Sequence, residues 1–152
     1  MSRSPKCDPQ REQVYRWERN FANLFYEHKM RPRAMHRMAR AMAEVYGVRK
    51  PRILHLNLGH GSHTAAADGA DSIEVNTDKA QFTSILVAHE MAHVITHAYG
   101  IIEPDHGPTW FGVYLWLMDK FNIVPADATM PSARKAGLKF KRLDKVKPGE
   151  LG

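Results

Sequence analysis

The sequence predicts an α+β protein with a single domain, in which a small antiparallel or mixed sheet packs on a buried helix flanked by further helices. Three observations predict this class. Apolar residues recur at helical spacing in several segments, and two short segments alternate with the period of strands. A length of 152 residues suits one hydrophobic core better than two. We place the domain at residues 1–130 and a basic C-terminal tail at residues 131–152, and we find no internal repeat.

Two helices are predicted in the first third of the chain. The first, over residues 9–28, has apolar side chains at helical spacing with charged residues between them. The second covers about residues 32–46, because Pro32 suits the first helical position and Gly47 suits the residue after a helix end. Its apolar face is rich in methionine, which is typical of adaptable core packing.

Strands are predicted over residues 52–58 and 72–76. The segment between them, residues 59–71, is rich in glycine and small residues, and it is predicted to be a loop or, in its middle, an irregular strand. Thr77 or Asp78 can cap the next helix, which is expected to run to about Tyr99 and to end at Gly100.

The remaining chain contains one more predicted helix, mostly buried, from Pro108 to about Phe121. Beyond Pro125 the apolar periodicity decays. Residues 139–143 are therefore predicted to be an edge strand or a part of the tail.

Charge is segregated along the chain. Residues 1–50 carry 12 Lys/Arg against 5 Asp/Glu (+7), residues 51–130 carry 3 against 9 (−6), and residues 131–152 carry 7 against 2 (+5). A basic end attracts polyanions, so the tail is a candidate for non-specific nucleic-acid binding, with a solvated surface as the simpler interpretation. The tail contains one aromatic residue, Phe140, whereas base-stacking surfaces use several.

Composition also bears on the compartment. No apolar run approaches the roughly 18 residues of a membrane helix, and the first residues are polar, unlike a signal peptide. The single cysteine, Cys7, excludes an internal disulfide and a cysteine-based zinc site. We therefore expect a cytoplasmic protein without a membrane partner, in which any zinc ligands are histidines or carboxylates.

The segment that indicates chemistry lies at residues 89–93 and reads HEMAH. Histidines four positions apart lie one turn from each other on the same helix face, so His89 and His93 can bind one metal ion. Glu90 then lies beside the metal, where it can take a proton from water. The alternative is a pair of core histidines without a metal, which would leave a buried glutamate at considerable cost.

A catalytic zinc site needs a third protein ligand and one open position. The spacing of metzincins is excluded, because Thr96 and Tyr99 stand where those proteins have a glycine and the third ligand. His97 lies one turn further along the helix axis, which makes a shared tetrahedral site difficult. His106 is the best candidate, since the chain reverses before it and a helix follows. Two loop carboxylates stay open as alternatives, Glu103 and Asp105.

Together, the residues HEMAH at 89–93 and HGPTWF at 106–111 resemble the SprT-like zinc metallopeptidases. In that family an HExxH helix is followed by a segment in which the third ligand, a histidine, precedes glycine, proline and an aromatic residue. The resemblance covers roughly residues 52–121, and residues 10–15 are similar to a less characterised group of small bacterial metallohydrolases. It implies a minimal zincin fold, with Zn²⁺ on His89, His93 and His106 and with Glu90 as general base.

The resemblance implies a metallopeptidase that acts on a protein or peptide substrate through zinc-activated water. Two alternatives stay open: a zinc amidase for a non-protein amide, and a nucleic-acid- or protein-binding module with a structural zinc site. Many SprT-like proteins carry an additional DNA-binding module for which this sequence has no room, so a DNA-repair role does not carry over. The candidates for the donor that stabilises the oxyanion are His60, His63, Tyr99 and Tyr114.

Overall fold

The computed structural model describes residues 8–21, 29–79 and 82–144. These residues form five helices and a three-stranded mixed sheet, which confirms the α+β class. The helices are α1 (Arg11–Asn20), α2 (Pro32–Tyr46), α3 (Ser84–Ala98), α4 (Pro108–Lys120) and α5 (Ala126–Lys135). The strands are β1 (Arg52–Leu56), β2 (Ala65–Asp68) and β3 (Ser72–Asn76).

The sheet has β3 in its centre, parallel to β1 and antiparallel to β2. Ile73 of β3 pairs with Ile53 of β1 and with Ala67 of β2. Strand β2 is the irregular strand that the sequence allows within residues 59–71. Since β2 lies at an edge, its outer backbone groups are available to α3, on which it packs.

The core is built around α3, which packs on α2, α4 and β2. Met91, Ala92 and Val94 in its middle are completely buried. Helix α4 is equally apolar, with Phe111, Val113 and other large side chains enclosed. A helix that is apolar on all sides belongs at the centre of a protein. The HEMAH segment therefore lies on a helix at the centre of the core.

Helix α2 has the bounds that its terminal residues predict. Pro32 begins the helix, and Gly47 follows it in the left-handed conformation with φ of 70°. The Gly47 N–H donates to the carbonyl oxygens of the last turn, as expected of a glycine that ends a helix. The methionine face, including Met35 and Met42, is buried in the core.

The predicted start of the helix that contains HEMAH is wrong. Thr83, rather than Thr77 or Asp78, is the N-cap of α3, and its side chain accepts the Leu86 N–H. The two earlier side chains are used elsewhere, because Thr77 bonds to the Leu56 carbonyl and Asp78 accepts the Gly59 N–H. They hold the chain that follows β1, and residues 77–79 form a turn.

The C-terminal part of the chain packs on the core more closely than the sequence predicts. Helix α5 crosses the predicted boundary after residue 130, and Ala133 and Leu138 are buried. Residues 139–143 form no strand. They are held instead by Gln10, whose side chain bonds to both backbone groups of Lys139, and by the Lys141 N–H, which donates to the Pro108 carbonyl.

Several predictions fall on residues that lie outside the described ranges. These are the second half of the first helix at residues 22–28, Cys7 with the N-terminal residues, and the last part of the tail at residues 145–152. Two of the described tail cations are already ion-paired, Lys141 with Glu103 and Arg142 with Asp144. In the described parts of the chain, no helix has both the length and the apolar character that crossing a membrane requires.

Candidate metal centre

Three histidines from two parts of the chain meet on one side of α3. His89 and His93 come from consecutive turns of α3, and His106 precedes the Gly107-Pro108 start of α4. Each offers a ligand nitrogen, and these nitrogens all lie within 4.8 Å of one another. His89 and His106 are buried and His93 is half-buried. The three side chains can therefore hold a metal ion.

Two carboxylates support the histidines from outside. Glu18 Oε2 lies 2.8 Å from His89 Nδ1, and Asp8 Oδ2 lies 2.7 Å from His106 Nδ1. The other Asp8 oxygen accepts the backbone N–H of His106 at 3.1 Å. Because Nδ1 of each ring donates to a carboxylate, Nε2 is left as the ligand atom, which is the usual arrangement around metal-binding histidines.

Burial and these carboxylates set the protonation of the two histidines. Burial opposes a charge on His89, but the charge and hydrogen bond of Glu18 outweigh it and raise the His89 pKa. Burial also lowers the pKa of His106, and Asp8 opposes that shift only in part. His106 therefore favours the neutral form that a metal requires.

Glu18 is itself fixed in its charged state. Burial would raise its pKa, yet the charge of His89 and hydrogen bonds from His89 and Tyr114 lower it overall. The Tyr114 hydroxyl donates to the same Oε2 at 2.6 Å. An anion with two donors is well suited to the acceptor role beside His89.

Glu90 faces the same cleft as the three histidines. Its Oε1 accepts the Ala67 N–H from the outer edge of β2 at 2.9 Å, and its Oε2 lies 4.0 Å from His89 Nε2. Burial raises the Glu90 pKa, against the opposing effects of His89 and the Ala67 N–H. A carboxylate with a raised pKa is suited to taking up and returning a proton.

Trp110 forms the inner wall of the histidine cluster. Its ring centroid lies 4.9 Å from that of His89, 4.9 Å from that of His93 and 4.7 Å from that of His106. The indole N–H donates to the His89 carbonyl at 3.3 Å. The sequence predicts that the helix carrying Trp110 is mostly buried, and the structure adds that the indole packs against all three imidazoles.

The three alternatives to His106 as third ligand, Glu103, His97 and Asp105, lie outside the group of converging ligand atoms. Glu103 caps α4, with one oxygen accepting the Thr109 N–H at 2.9 Å and the other the Thr109 hydroxyl at 2.6 Å. His97 and Asp105 line the cleft. Among the described residues, neither belongs to the group whose ligand atoms come together.

The structure distinguishes the four candidate oxyanion donors by whether they reach the cleft. Tyr99 donates to the Tyr46 carbonyl, and Tyr114 donates to Glu18. His60 is exposed and does not line the cleft. His63 does line it, with Nε2 at 3.4 Å from Glu74 Oε1. It lies on a loop that Asn76 holds through hydrogen bonds to the carbonyls of Gly59 and His63.

Sequence reasoning missed three residues near the histidine cluster: Asp8, Tyr15 and Glu18. Tyr15 is half-buried, lines the cleft and has its hydroxyl 3.5 Å from His106 Nε2. Burial raises the Tyr15 pKa, with Arg11 opposing the shift, so the hydroxyl keeps its proton at neutral pH. The only signal available was that residues 15 and 18 lie on one side of an amphipathic helix, where a glutamate normally faces water.

Comparison of the chain with family models, curated proteins and solved structures finds no match. The resemblance to SprT-like metallopeptidases accordingly rests on the motif residues themselves, and it stays a prediction.

Proposed function

We propose that this protein is a zinc-dependent metallohydrolase, and specifically a peptidase that cleaves a protein or peptide substrate. The observation that carries the proposal is the placement of Glu90 in one cleft with three histidines whose ligand atoms lie within 4.8 Å. A base next to a metal-binding group is the minimum that water-dependent amide hydrolysis needs.

The donor set fits zinc. Imidazole nitrogens are common zinc ligands, and three of them leave the open position that a catalytic site uses. When bound, zinc would supply a Lewis acid for the scissile carbonyl and would lower the pKa of water. His89, His93 and His106 would hold it, with Glu18 and Asp8 keeping two of the rings in orientation.

Glu90 is the proposed general base. Its carboxylate takes a proton from the attacking water and returns it to the leaving amine. The hydrogen bond from Ala67 holds one oxygen, so the other is directed toward the histidine cluster. The edge position of β2 thus contributes to the orientation of the base.

A catalytic site is favoured over a structural one by the number of ligands. Structural zinc sites are closed by four protein ligands, whereas the group within the described residues has three. We include the zincin-like fold in the proposal, since α3 with the motif, the adjoining strand β2 and the helix after His106 are the parts that such an arrangement uses.

The test compares two substitutions with the native protein. We expect Glu90→Gln to bind zinc normally but to lose hydrolysis of a quenched fluorescent casein by about 10²- to 10⁴-fold, the usual contribution of a general base. We expect His106→Ala to lose zinc. Zinc is measured by elemental analysis, and the exposed Glu44→Gln is the matched control for removal of a carboxylate.

Unchanged hydrolysis in Glu90→Gln would overturn the proposed mechanism. A zinc-loaded native protein that cleaves neither casein nor a set of quenched peptides would overturn the peptidase assignment. Full zinc occupancy in His106→Ala would overturn the ligand set.

A further inference from the structure

We propose that the Tyr15 hydroxyl donates the hydrogen bond that stabilises the oxyanion formed at the scissile carbonyl. This proposal rests on the proposed function and names a residue for a step that Glu90 and the histidines leave unassigned. Negative charge develops on the carbonyl oxygen during hydrolysis, and a pre-positioned donor there is among the largest contributions to catalysis.

Tyr15 is held over the histidine cluster by the geometry of α1. It lies one turn before Glu18, which is bonded to His89, so the two side chains project from the same side of the helix. The Tyr15 ring is nearly parallel to the His89 ring, with centroids 6.2 Å apart, and meets the His106 ring at 5.2 Å. The position of its hydroxyl is therefore fixed from two sides.

Metal binding would change the partner of this hydroxyl. His106 Nδ1 is bonded to Asp8, so Nε2 carries the lone pair that faces Tyr15 Oη at 3.5 Å. That lone pair is the one that a metal ion would use. If a metal ion occupied the lone pair of His106 Nε2, the Tyr15 O–H would lose its acceptor on His106. It could then donate to a substrate oxygen beside His106.

His63 is the competing donor in the cleft. It projects from the loop before β2, and its side chain is 42% exposed, with Nε2 at 3.4 Å from Glu74 Oε1. Water screens an exposed donor, whereas a half-buried one acts in a lower dielectric where a hydrogen bond to an anion is stronger. Tyr15 also comes from a helix that the carboxylate contacts hold in place, which favours it over the loop histidine.

The experiment uses Tyr15→Phe, which removes only the hydroxyl. We expect zinc content to equal that of the native protein, kcat on a quenched peptide to fall about 10²-fold, as for other oxyanion donors, and KM to change little. A readout apart from activity is the binding of a phosphinic peptide, whose tetrahedral anion resembles the oxyanion. Its affinity, measured by calorimetry, is expected to weaken in parallel with kcat.

Two control variants accompany Tyr15→Phe. Tyr99→Phe removes a tyrosine hydroxyl that bonds outside the cleft, and it is expected to keep native kcat and native phosphinic-peptide affinity. His63→Ala tests the competing donor and is expected to change both quantities less than Tyr15→Phe does.

The outcomes separate this inference from the proposed function. If the native protein hydrolyses the peptide and Tyr15→Phe matches it in kcat and phosphinic-peptide affinity, the inference is overturned while the function stands. Loss of zinc in Tyr15→Phe, or a larger loss of kcat in His63→Ala, would also overturn it. If the zinc-loaded native protein shows no hydrolysis at all, the proposed function fails and the inference fails with it.

Discussion

At the scale of single residues, the histidine cluster of His89, His93 and His106 depends on side chains that would not themselves touch a metal ion. Glu18 and Asp8 each accept a hydrogen bond from a histidine ring, and each is largely buried at 14% and 7% side-chain exposure. Such a carboxylate fixes the ring's orientation and tautomer and increases the basicity of the opposite nitrogen. A buried carboxylate without a histidine partner would be costly. Each carboxylate and the histidine that it contacts therefore depend on each other.

We expect Asp8→Asn and Glu18→Gln each to lower zinc affinity by about 10- to 100-fold while the protein stays folded, the range seen when such supporting carboxylates are changed. Affinity is measured by competition with a chromophoric chelator, and folding by circular dichroism. Glu12→Gln, an exposed acid of the same helix, is the control and should leave affinity unchanged. Native affinity in both variants would mean that the carboxylates only stabilise the apo protein.

At the scale of elements, α4 and the C-terminal segment approach each other closely at Gly112. A Cβ added at Gly112 would lie 2.0 Å from the Lys141 carbonyl oxygen. The same segment is tied to Pro108 and, through Lys139, to Gln10. Gln10 also donates to the His106 carbonyl. The absence of a side chain at Gly112 thus allows the segment to lie next to the residues that precede α4.

Gly112→Ala is expected to destabilise the protein by about 1–3 kcal/mol, the usual cost of overpacking. The sign of the change in unfolding free energy distinguishes the two cases, because a Gly→Ala substitution in an unobstructed helix interior stabilises by roughly 1 kcal/mol. Urea unfolding measures the free energy, and trypsin should cut faster after Lys139 and Lys141. A Gly112→Ala variant as stable as the native protein would show that the C-terminal segment can pack on α4 without the close contact between Lys141 and Gly112.

At the scale of the whole molecule, the histidine cluster and its supporting carboxylates join distant parts of the chain. Residues 8 and 18 support histidines at 106 and 89, so α1, α3 and the start of α4 converge on one point. None of these partners is close in an unfolded chain. A ligand that binds only the assembled group therefore stabilises the entire fold.

We expect zinc to raise the melting temperature and a chelator to reverse the rise. At a free zinc concentration 100 times the dissociation constant, the stabilisation is about 2.7 kcal/mol. For a chain of this length that corresponds to roughly 5–10 °C. Calorimetry in zinc-buffered solution gives the measurement, with His93→Ala as the control that should show no zinc-dependent shift. Equal shifts in both proteins would place the zinc elsewhere.

Local signals predicted a large part of the fold. The bounds of α2 follow from Pro32 and Gly47, whose backbone preferences act within one turn. Strand β3 and helix α4 were also visible from their own side chains. Helix α5 was missed because Pro131 and polar residues interrupt its pattern, and only Thr129 and Ala133 are buried. Thr83 was missed as the cap because Thr77 and Asp78 offered the same chemistry earlier in the chain.

The sequence by itself determined the type of donor set: two histidines and a glutamate on one helix, with a third histidine before a Pro-initiated helix. Helical geometry makes the first part a local property, since residues four apart share a face. Only the tertiary structure decided that His106 joins them, that Asp8 and Glu18 support the rings, and that Tyr15 reaches the cleft. The contacts that Glu18, Tyr15 and Asp8 make with the histidines span from 71 to 98 positions along the chain. No local preference encodes such contacts, because they arise from the packing of α1 and of the start of α4 around α3.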